Sequence, residues 1–412
     1  MALIVQKFGG TSVANIERIK HVATHVQREL AAGHQVIVVV SAMAGVTNQL
    51  LDYCAQMNDL VSDAARANCD HVSAAGEQIT SGLLALHLQS LGVPARAWCG
   101  WQIPLRSDGM YTKARIDSID TKAILQSLAE GNVAVIAGFQ GISPEGRITT
   151  LGRGGSDTSA VAIAAAFNAE VCDIYTDVDG VYTSDPRIVT KARKLEKVSY
   201  EEMLEMASLG SKVLQTRSVE LAMNYKVRVR VRSTFDEALG TLLVDEEEIV
   251  EQQRVTGLAY SRDEARITLV NVENRPGVSA AIFGPLAERG INVDMIVQNV
   301  TEDGKSTDLT FTVSKGELAR ALEIVKGANM PKFETVHTDS NVAKVSVIGV
   351  GMRSHAGVAA DMFKTLAEKN INIIVISTSE IKISVLVEES YIELALRALH
   401  TAYGLDAAEE KN

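Results

Sequence analysis

Nowhere in the 412 residues does an uninterrupted apolar run approach the roughly 20 residues that a membrane-spanning helix needs. A membrane protein is therefore not expected. Cysteine is scarce: Cys54, Cys69, Cys99 and Cys172 lie far apart with no CxxC spacing, which gives neither a structural zinc site nor a disulfide framework. Positive charge is short as well. The 40 lysines and arginines face 51 acids for a net charge of -11, which argues against a broad nucleic-acid surface, because phosphate backbones are held by basic patches. A small anionic ligand in a local basic site is still compatible. The N-terminal MALIVQKFGG lacks a basic n-region followed by an apolar h-region, so a cytoplasmic location is the expectation.

What is present is the composition of a globular chain, 46% apolar and 22% charged, too long for one ordinary core. LIVQKF at 3–8 reads as a strand, and Val13, Ile16, Ile19, Val26 and Leu30 keep a helical period. Strand-like HQVIVVV (34–40) and the helix start NQLLDYCAQM repeat the pattern across the small-residue turn SAMAGVT. VAVIAGFQG (133–141) and EVCDIYTDVDGVY (170–182) add strands, and between them TLGRGGSDTSAVAIAAAF leads to an Ala-rich helix with Ser156 or Asp157 as N-cap. Such alternation predicts an α/β domain with a mainly parallel sheet covered on both faces. KVRVRVRS (226–233) alternates valine with basic residues, so one face of that strand is apolar. DEEEIVEQQR (245–254) reads as a solvated linker or exposed helix and marks the first boundary.

Downstream the chain repeats itself. RPGVSAAIFGPLAERGINVDMIVQN, starting at 275, aligns without gaps to HAGVAADMFKTLAEKNINIIVISTS, starting at 355, an offset of 80 that matches Gly277 with Gly357 and Asn292 with Asn372. Two related small α+β modules follow the large domain.

Several loops carry groups suited to anions. Gly9 and Gly10 form a turn before a helix, where backbone N–H groups and the helix dipole attract negative charge, and Lys7 adds a full positive charge beside them. The bland alternative is a tight strand-to-helix turn. GRGGSDT (152–158) sets Arg153 among glycines, where a guanidinium forks onto a carboxylate or phosphate. YTDVDGVYTSDPR (175–187) suits a purine, a ribose or magnesium, although Asp-Gly and Asp-Pro are also ordinary turn punctuation. GSKVL (210–214) brings Lys212 to a helix start, and AAGEQ puts Glu77 in the first turn of another, where a carboxylate also interacts with the dipole.

KFGGTS, VSAMAGVTN, AAGEQ, AGFQG, LGRGGSDT, YTDVDGVYTSDPR and GSKVL, in this order and spacing, resemble the aspartate kinases of the amino-acid kinase superfamily, and the tandem modules resemble their paired ACT domains. The likeness covers essentially the whole chain. It implies a catalytic domain at 1–245, a linker at 246–262 and ferredoxin-like ACT domains at 263–340 and 341–412. It further implies transfer of the γ-phosphoryl group of Mg·ATP to the side-chain carboxylate of L-aspartate, with Mg2+ carried by ATP. In the resemblance Lys7, Gly9, Gly10 and Lys212 hold phosphates, and Thr176, Asp177, Tyr182 and Arg187 line the nucleotide. Ser41, Thr47, Glu77, Arg153, Ser156 and Asp157 hold the amino acid, with Glu77 on its ammonium, Arg153 on its α-carboxylate and Asp157 as an orienting group. Lys7, Lys212 and Asp157 form the catalytic set.

Feedback by lysine and threonine is implied at Asn274, Gly277, Ser279, Asp294 and Gln298 in the first module and Asn372 and Ile373 in the second. A homo-oligomer, dimer or tetramer, through the ACT domains is expected, as is the type without an attached dehydrogenase. The rival readings are another kinase of the superfamily or an ACT-based sensor without turnover. A Rossmann dehydrogenase is disfavoured, because KFGGTS lacks the GxGxxG spacing.

Overall fold

The computed structural model describes residues 2–210, 213–249, 253–302, 304–327, 330–353 and 355–406. The chain divides into two compact units. The first comprises Met1–Val181, Lys194–Ser208 and Lys212–Val250; the second comprises Tyr182–Arg193, Leu209–Ser211 and Glu251–Asn412.

The first unit is built on an eight-stranded sheet. Its order is Lys197–Ser199, Thr241–Val244, Val229–Ser233, Val171–Thr176, Leu3–Phe8, Gln35–Val40, Val133–Ala137 and Ala95–Trp98. The six strands from Val229–Ser233 to Ala95–Trp98 run parallel. Gln35–Val40 is buried from Val36 onward, as a strand covered on both faces must be. Val36, Val38 and Val40 pack with Ile19, Val22 and Val26 of the helix Ile16–Ala31 and with Leu84 and Leu88 of the helix Ala75–Ser90. Ile37 and Val39 point to the other face, which the helix Gly155–Ala166 covers. That helix is buried from Gly155 to Ala164. Its small residues allow the helix to lie tightly inside the domain. A smaller sheet, ordered Ile116–Ile119, Leu105–Ser107, Gln140–Ile142 and Ile148–Thr150, leads into its N-terminus.

Local details depart from the sequence reading. The first long helix starts at Ile16, with Asn15 accepting from the Arg18 amide at 3.0 Å. Val13 lies in the preceding turn, and Gly9–Gly10 is not a helix N-terminus. Gly154, left-handed at φ 71, caps the later helix without a side-chain bond, so Ser156 and Asp157 sit in its first turn and are not N-caps. On the basic face of KVRVRVRS, Lys226 and Arg228 are exposed, whereas Arg230 and Arg232 meet a buried acid. Arg230 makes two hydrogen bonds to Asp173 at 2.7 and 2.9 Å, Arg232 lies 3.7 Å away, and Asp173 is fully buried.

The second unit carries a six-stranded antiparallel sheet, ordered Asp294–Val300, Ser306–Val313, Gly257–Glu273, Thr335–Ile348, Lys382–Glu388 and Val375–Thr378. The repeat is visible in register: Gly277 at φ 87 opens the helix Val278–Glu288 and Gly357 at φ 96 opens Val358–Glu368. Each module has its own core, one around Ile267, Ile282, Leu286 and Phe311, the other around Val345, Met362, Leu366 and Leu396. The second core also takes in Val189 from the segment 182–193. Two strands cross the boundaries drawn from sequence, since Gly257–Glu273 begins inside the expected linker and Thr335–Ile348 joins the modules. Among the described residues no helix is long and apolar enough to cross a membrane.

Candidate active site

Parallel strands end together, and the loops leaving their carboxyl ends are where such sheets bind ligands. Phe8, Val40 and Ala137 end three neighbouring strands in register. Ser41 donates its amide to the Phe8 carbonyl at 3.0 Å, and the Gly138 amide meets the Val40 carbonyl at 3.0 Å. Lys7 is 7% exposed, and its Nζ lies 2.5 Å from Asp157 Oδ1 in the first turn of Gly155–Ala166. A buried ammonium is thus half-neutralised and held in place by a carboxylate from the helix next to its strand. Space for side chains is tight here. A Cβ on Gly10 would come 3.1 Å from the Ala42 carbonyl oxygen, and one on Gly138 would come 3.0 Å from the Ser156 side chain. The Gly9 amide is already bonded to the Tyr175 carbonyl at 3.1 Å. At this edge the anion-attracting groups are therefore Lys7 and the N-terminus of Gly155–Ala166.

Glu77 is the least ordinary group in the region. It is 2% exposed, and its Oε1 accepts the Ala42 amide at 3.0 Å, while Oε2 has no hydrogen-bond partner. Burial pushes its carboxyl from 4.5 up to about 7, against the pull of the Ala42 amide. A buried carboxylate oxygen without a donor is costly unless a ligand supplies one. Its neighbourhood is tight: a Cβ on Gly76 would come 2.7 Å from Ala42 Cβ. Glu77 thus joins Ser41 and Ala42, hence Phe8 and Lys7, through a short chain of contacts. Thr47 is half-buried in the first turn of Val46–Met57, the helix that follows this loop. Arg153 is exposed between Gly152 and Gly154, both left-handed at φ 76 and 71.

The chain matches the amino acid kinase family over residues 2–233 and ACT domains over 266–328 and 345–403. An aspartokinase of Pseudomonas aeruginosa is 54% identical over 411 residues, covering 99% of this chain and 98% of that protein. One of Helicobacter pylori is 48% identical over 408 residues, covering 98% of this chain and 100% of that protein. The chain belongs to the aspartate kinase family. It is an ATP-dependent phosphotransferase with an allosteric kinase architecture. Two crystal structures of Escherichia coli aspartokinase III are each 28% identical and cover 97% of this chain and 99% of that one. The R-state complex with aspartate and ADP superposes with a TM-score of 0.79, and the T-state complex with lysine and aspartate with 0.76.

Of the expected substrate residues, Asp157 lies against Lys7, Ser156 precedes it in the same helical turn, Ser41 bonds the Phe8 carbonyl, and Glu77 reaches the Ala42 amide beside Ser41. Thr176 follows Tyr175 at the end of the neighbouring strand and hydrogen-bonds Asp177 at 3.2 Å. Thr234, which the sequence did not single out, donates its amide to the Thr176 carbonyl at 2.9 Å, and its hydroxyl meets Ser12 Oγ at 2.6 Å. Nothing in KVRVRVRSTF marks that role. Tyr182 and Arg187 fall in the second unit, where the Arg187 guanidinium makes two hydrogen bonds to Asp185 at 3.0 and 2.8 Å. Lys212 lies outside the described residues.

In the first ACT module, Asn274 bonds the Gly304 carbonyl at 2.9 Å, Ser279 is half-buried in the helix that Gly277 opens, and Gln298 is exposed. Asp294 already has an ammonium: Lys344 Nζ lies 2.6 Å from its Oδ2 and 2.7 Å from Glu264 Oε1. Lys344 and Glu264 are each 5% exposed. In the second module Asn372 is exposed and Ile373 packs against the core.

Proposed function

We propose that the chain transfers the γ-phosphoryl group of Mg·ATP to the side-chain carboxylate of L-aspartate, forming 4-phospho-L-aspartate, the first step toward lysine, threonine and methionine in the cytoplasm. The observation that carries the substrate assignment is the buried, unpartnered Oε2 of Glu77. An α-ammonium is the ligand group that satisfies it, and an acetylated amino acid has none to offer. Arg153 takes the α-carboxylate, which aims the remaining carboxylate toward ATP. That carboxylate is ionised at neutral pH, so the nucleophile needs no general base. Positioning and relief of anion repulsion are then the catalytic tasks. Lys7, fixed by Asp157, holds phosphate oxygens with Lys212, and Asp157 orients Lys7 without accepting a proton. Magnesium arrives with the nucleotide as part of the substrate.

The ACT modules are read as the effector and assembly region, with lysine and threonine as effectors. An effector ammonium reaching Asp294 meets a carboxylate shared with Lys344, so binding there redistributes a buried ion network. Exposed Ile296 and Val300 on one edge strand of the unit and Ile376 on the other support self-association. The test is ADP release with Mg·ATP and L-aspartate, run without effector and with lysine, threonine and both. Aspartate-dependent turnover suppressed by an effector supports both halves of the reading, and no turnover with aspartate refutes the substrate.

A further inference from the structure

The loop that presents Arg153 rests on two charged side chains outside the expected site, one buried and one half-buried. Asp70, on the helix Asp63–Ser73, is 1% exposed. Its Oδ2 accepts the amides of Thr112 and Thr150 at 2.9 and 2.8 Å, and its Oδ1 accepts the Thr150 hydroxyl at 2.7 Å. Arg217, in the first turn of the helix Thr216–Tyr225, donates to the carbonyls of Leu151 and Ala114 at 2.9 and 2.8 Å. The two segments also bond each other, the Ala114 amide to the Thr150 carbonyl at 2.9 Å. A carboxylate thus gathers the N–H groups of two adjacent backbone stretches, and a guanidinium gathers C=O groups of the same two stretches, at Ala114 and Leu151. Buried backbone groups need partners, but neighbouring strands ordinarily supply them. Here charged side chains from two helices do.

A second observation singles out the same place. Thr112 sits at φ 69, a left-handed conformation that is unfavourable for a β-branched residue and persists only where the surroundings impose it. Its amide is held by Asp70, and a Cβ on Gly152 would come 3.3 Å from its carbonyl oxygen. On the far side of Arg153, a Cβ on Gly154 would come 1.9 Å from Gln215 Cγ, so the start of the Thr216–Tyr225 helix also presses on the loop. Arg153 is therefore carried on a short bridge whose two ends are fixed by Asp70, Arg217 and Gln215.

We propose that Asp70 and Arg217 are positioning residues for the phosphotransfer reaction, a pair of opposite charges that clamp residues 112–114 to 150–151 and so set where Arg153 meets the α-carboxylate of the substrate. The inference rests on the reading of Arg153 given above. Neither residue touches substrate, and both act through the backbone that leads to Arg153. Displacing such a group by about 1 Å is enough to cost on the order of 100-fold.

The test is steady-state kinetics with aspartate and ATP varied separately. Arg217→Met leaves two carbonyls without donors and is expected to raise the aspartate KM about 10- to 100-fold while the ATP KM moves less than about threefold. Asp70→Asn is expected to stay within about twofold of the parent, because its amide oxygen accepts both N–H groups and its NH2 donates to the Thr150 hydroxyl. Should Arg217→Met fail to fold, Thr150→Val, which removes only the hydroxyl bond to Asp70, carries the test with an aspartate KM raised about three- to tenfold. Arg153→Ala combined with Arg217→Met is expected to be no worse for aspartate than Arg153→Ala alone, since one acts through the other. Independent, additive losses in that pair overturn the proposal, as does an equal rise in both KM values. If Arg153→Ala itself leaves the aspartate KM unchanged, the substrate reading fails first and takes the clamp's role with it.

Discussion

Replacing Glu77 by glutamine tests the proposed substrate contact by two independent readouts. The carboxyl is moved by burial from 4.5 to about 7, which corresponds to about 3 kcal/mol for holding the charge in the folded, unliganded protein. Bound aspartate offsets that cost by placing an ammonium against Oε2. In the free enzyme, kcat/KM for aspartate therefore rises with pH, about tenfold per unit below 7 and levelling above it. The kcat profile has its acid limb at lower pH, because the bound ammonium favours the ionised carboxyl. Glu77→Gln keeps an oxygen for the Ala42 amide but no charge. A lost charge-assisted hydrogen bond of about 2–3 kcal/mol predicts an aspartate KM higher by about 30- to 150-fold, a nearly unchanged ATP KM, and no acid limb near 7. The second readout is stability. With its pKa raised by folding, Glu77 binds its proton more tightly in the native state, so its contribution declines as pH rises from 4.5 to 7. The glutamine variant escapes that decline and is expected to melt higher than the parent at pH 8. A variant with parental aspartate KM, or one that retains the acid limb, refutes the argument.

Three further outcomes follow from other groups. His25 is 3% exposed and bonded to the Thr234 carbonyl at 2.9 Å, and burial pushes its pKa from 6.5 down to about 4. The unfolded chain binds the proton first, so this group costs stability as pH falls from 6.5 to 4, by up to about 3 kcal/mol. Its slope opposes that of Glu77 between 4.5 and 6.5. Urea titrations across that window should show acid-side loss steepened in Glu77→Gln and reversed in His25→Gln, and identical slopes in all three proteins would count against both assignments. Lys7→Ala is expected to lower kcat by about 100-fold or more; the added change Asp157→Ala should recover stability without recovering turnover, and near-normal turnover in either removes Lys7 from the phosphate site. Lys344→Met leaves Glu264 charged and buried, at a cost of about 3–5 kcal/mol in thermal or urea unfolding, most of it recovered by adding Glu264→Leu; an unchanged melting temperature would show the network to be solvated.

How much of this was legible beforehand depends on whether a residue's role is local. Gly277 and Gly357 were readable because a helix opened by a left-handed residue favours glycine at that point, and the two copies keep it at a fixed offset. Glu77 could be placed in a first helical turn from its sequence neighbours, yet its burial against Ala42 comes from another loop. The same limit explains the basic strand. In KVRVRVRS the alternation indicates which residues share a face, but whether that face meets water or Asp173 is decided by the strand Val171–Thr176 beside it. Where strands begin is set in a related way. Gly257–Glu273 begins inside the expected linker because a strand's length is set by the partners it finds along Thr335–Ile348 and Ser306–Val313, and those partners lie far away in sequence. Asp70 and Arg217 are the extreme case: each looks like an ordinary charge on a helix, and only the backbone groups of Thr112, Ala114, Thr150 and Leu151 give them a purpose. Groups proposed to touch ligand sit in or beside glycine-rich segments whose composition announces them, whereas groups that aim those segments are scattered through the scaffold. Substitutions that alter substrate affinity without touching substrate are therefore to be sought at such scaffold charges rather than in the glycine-rich loops.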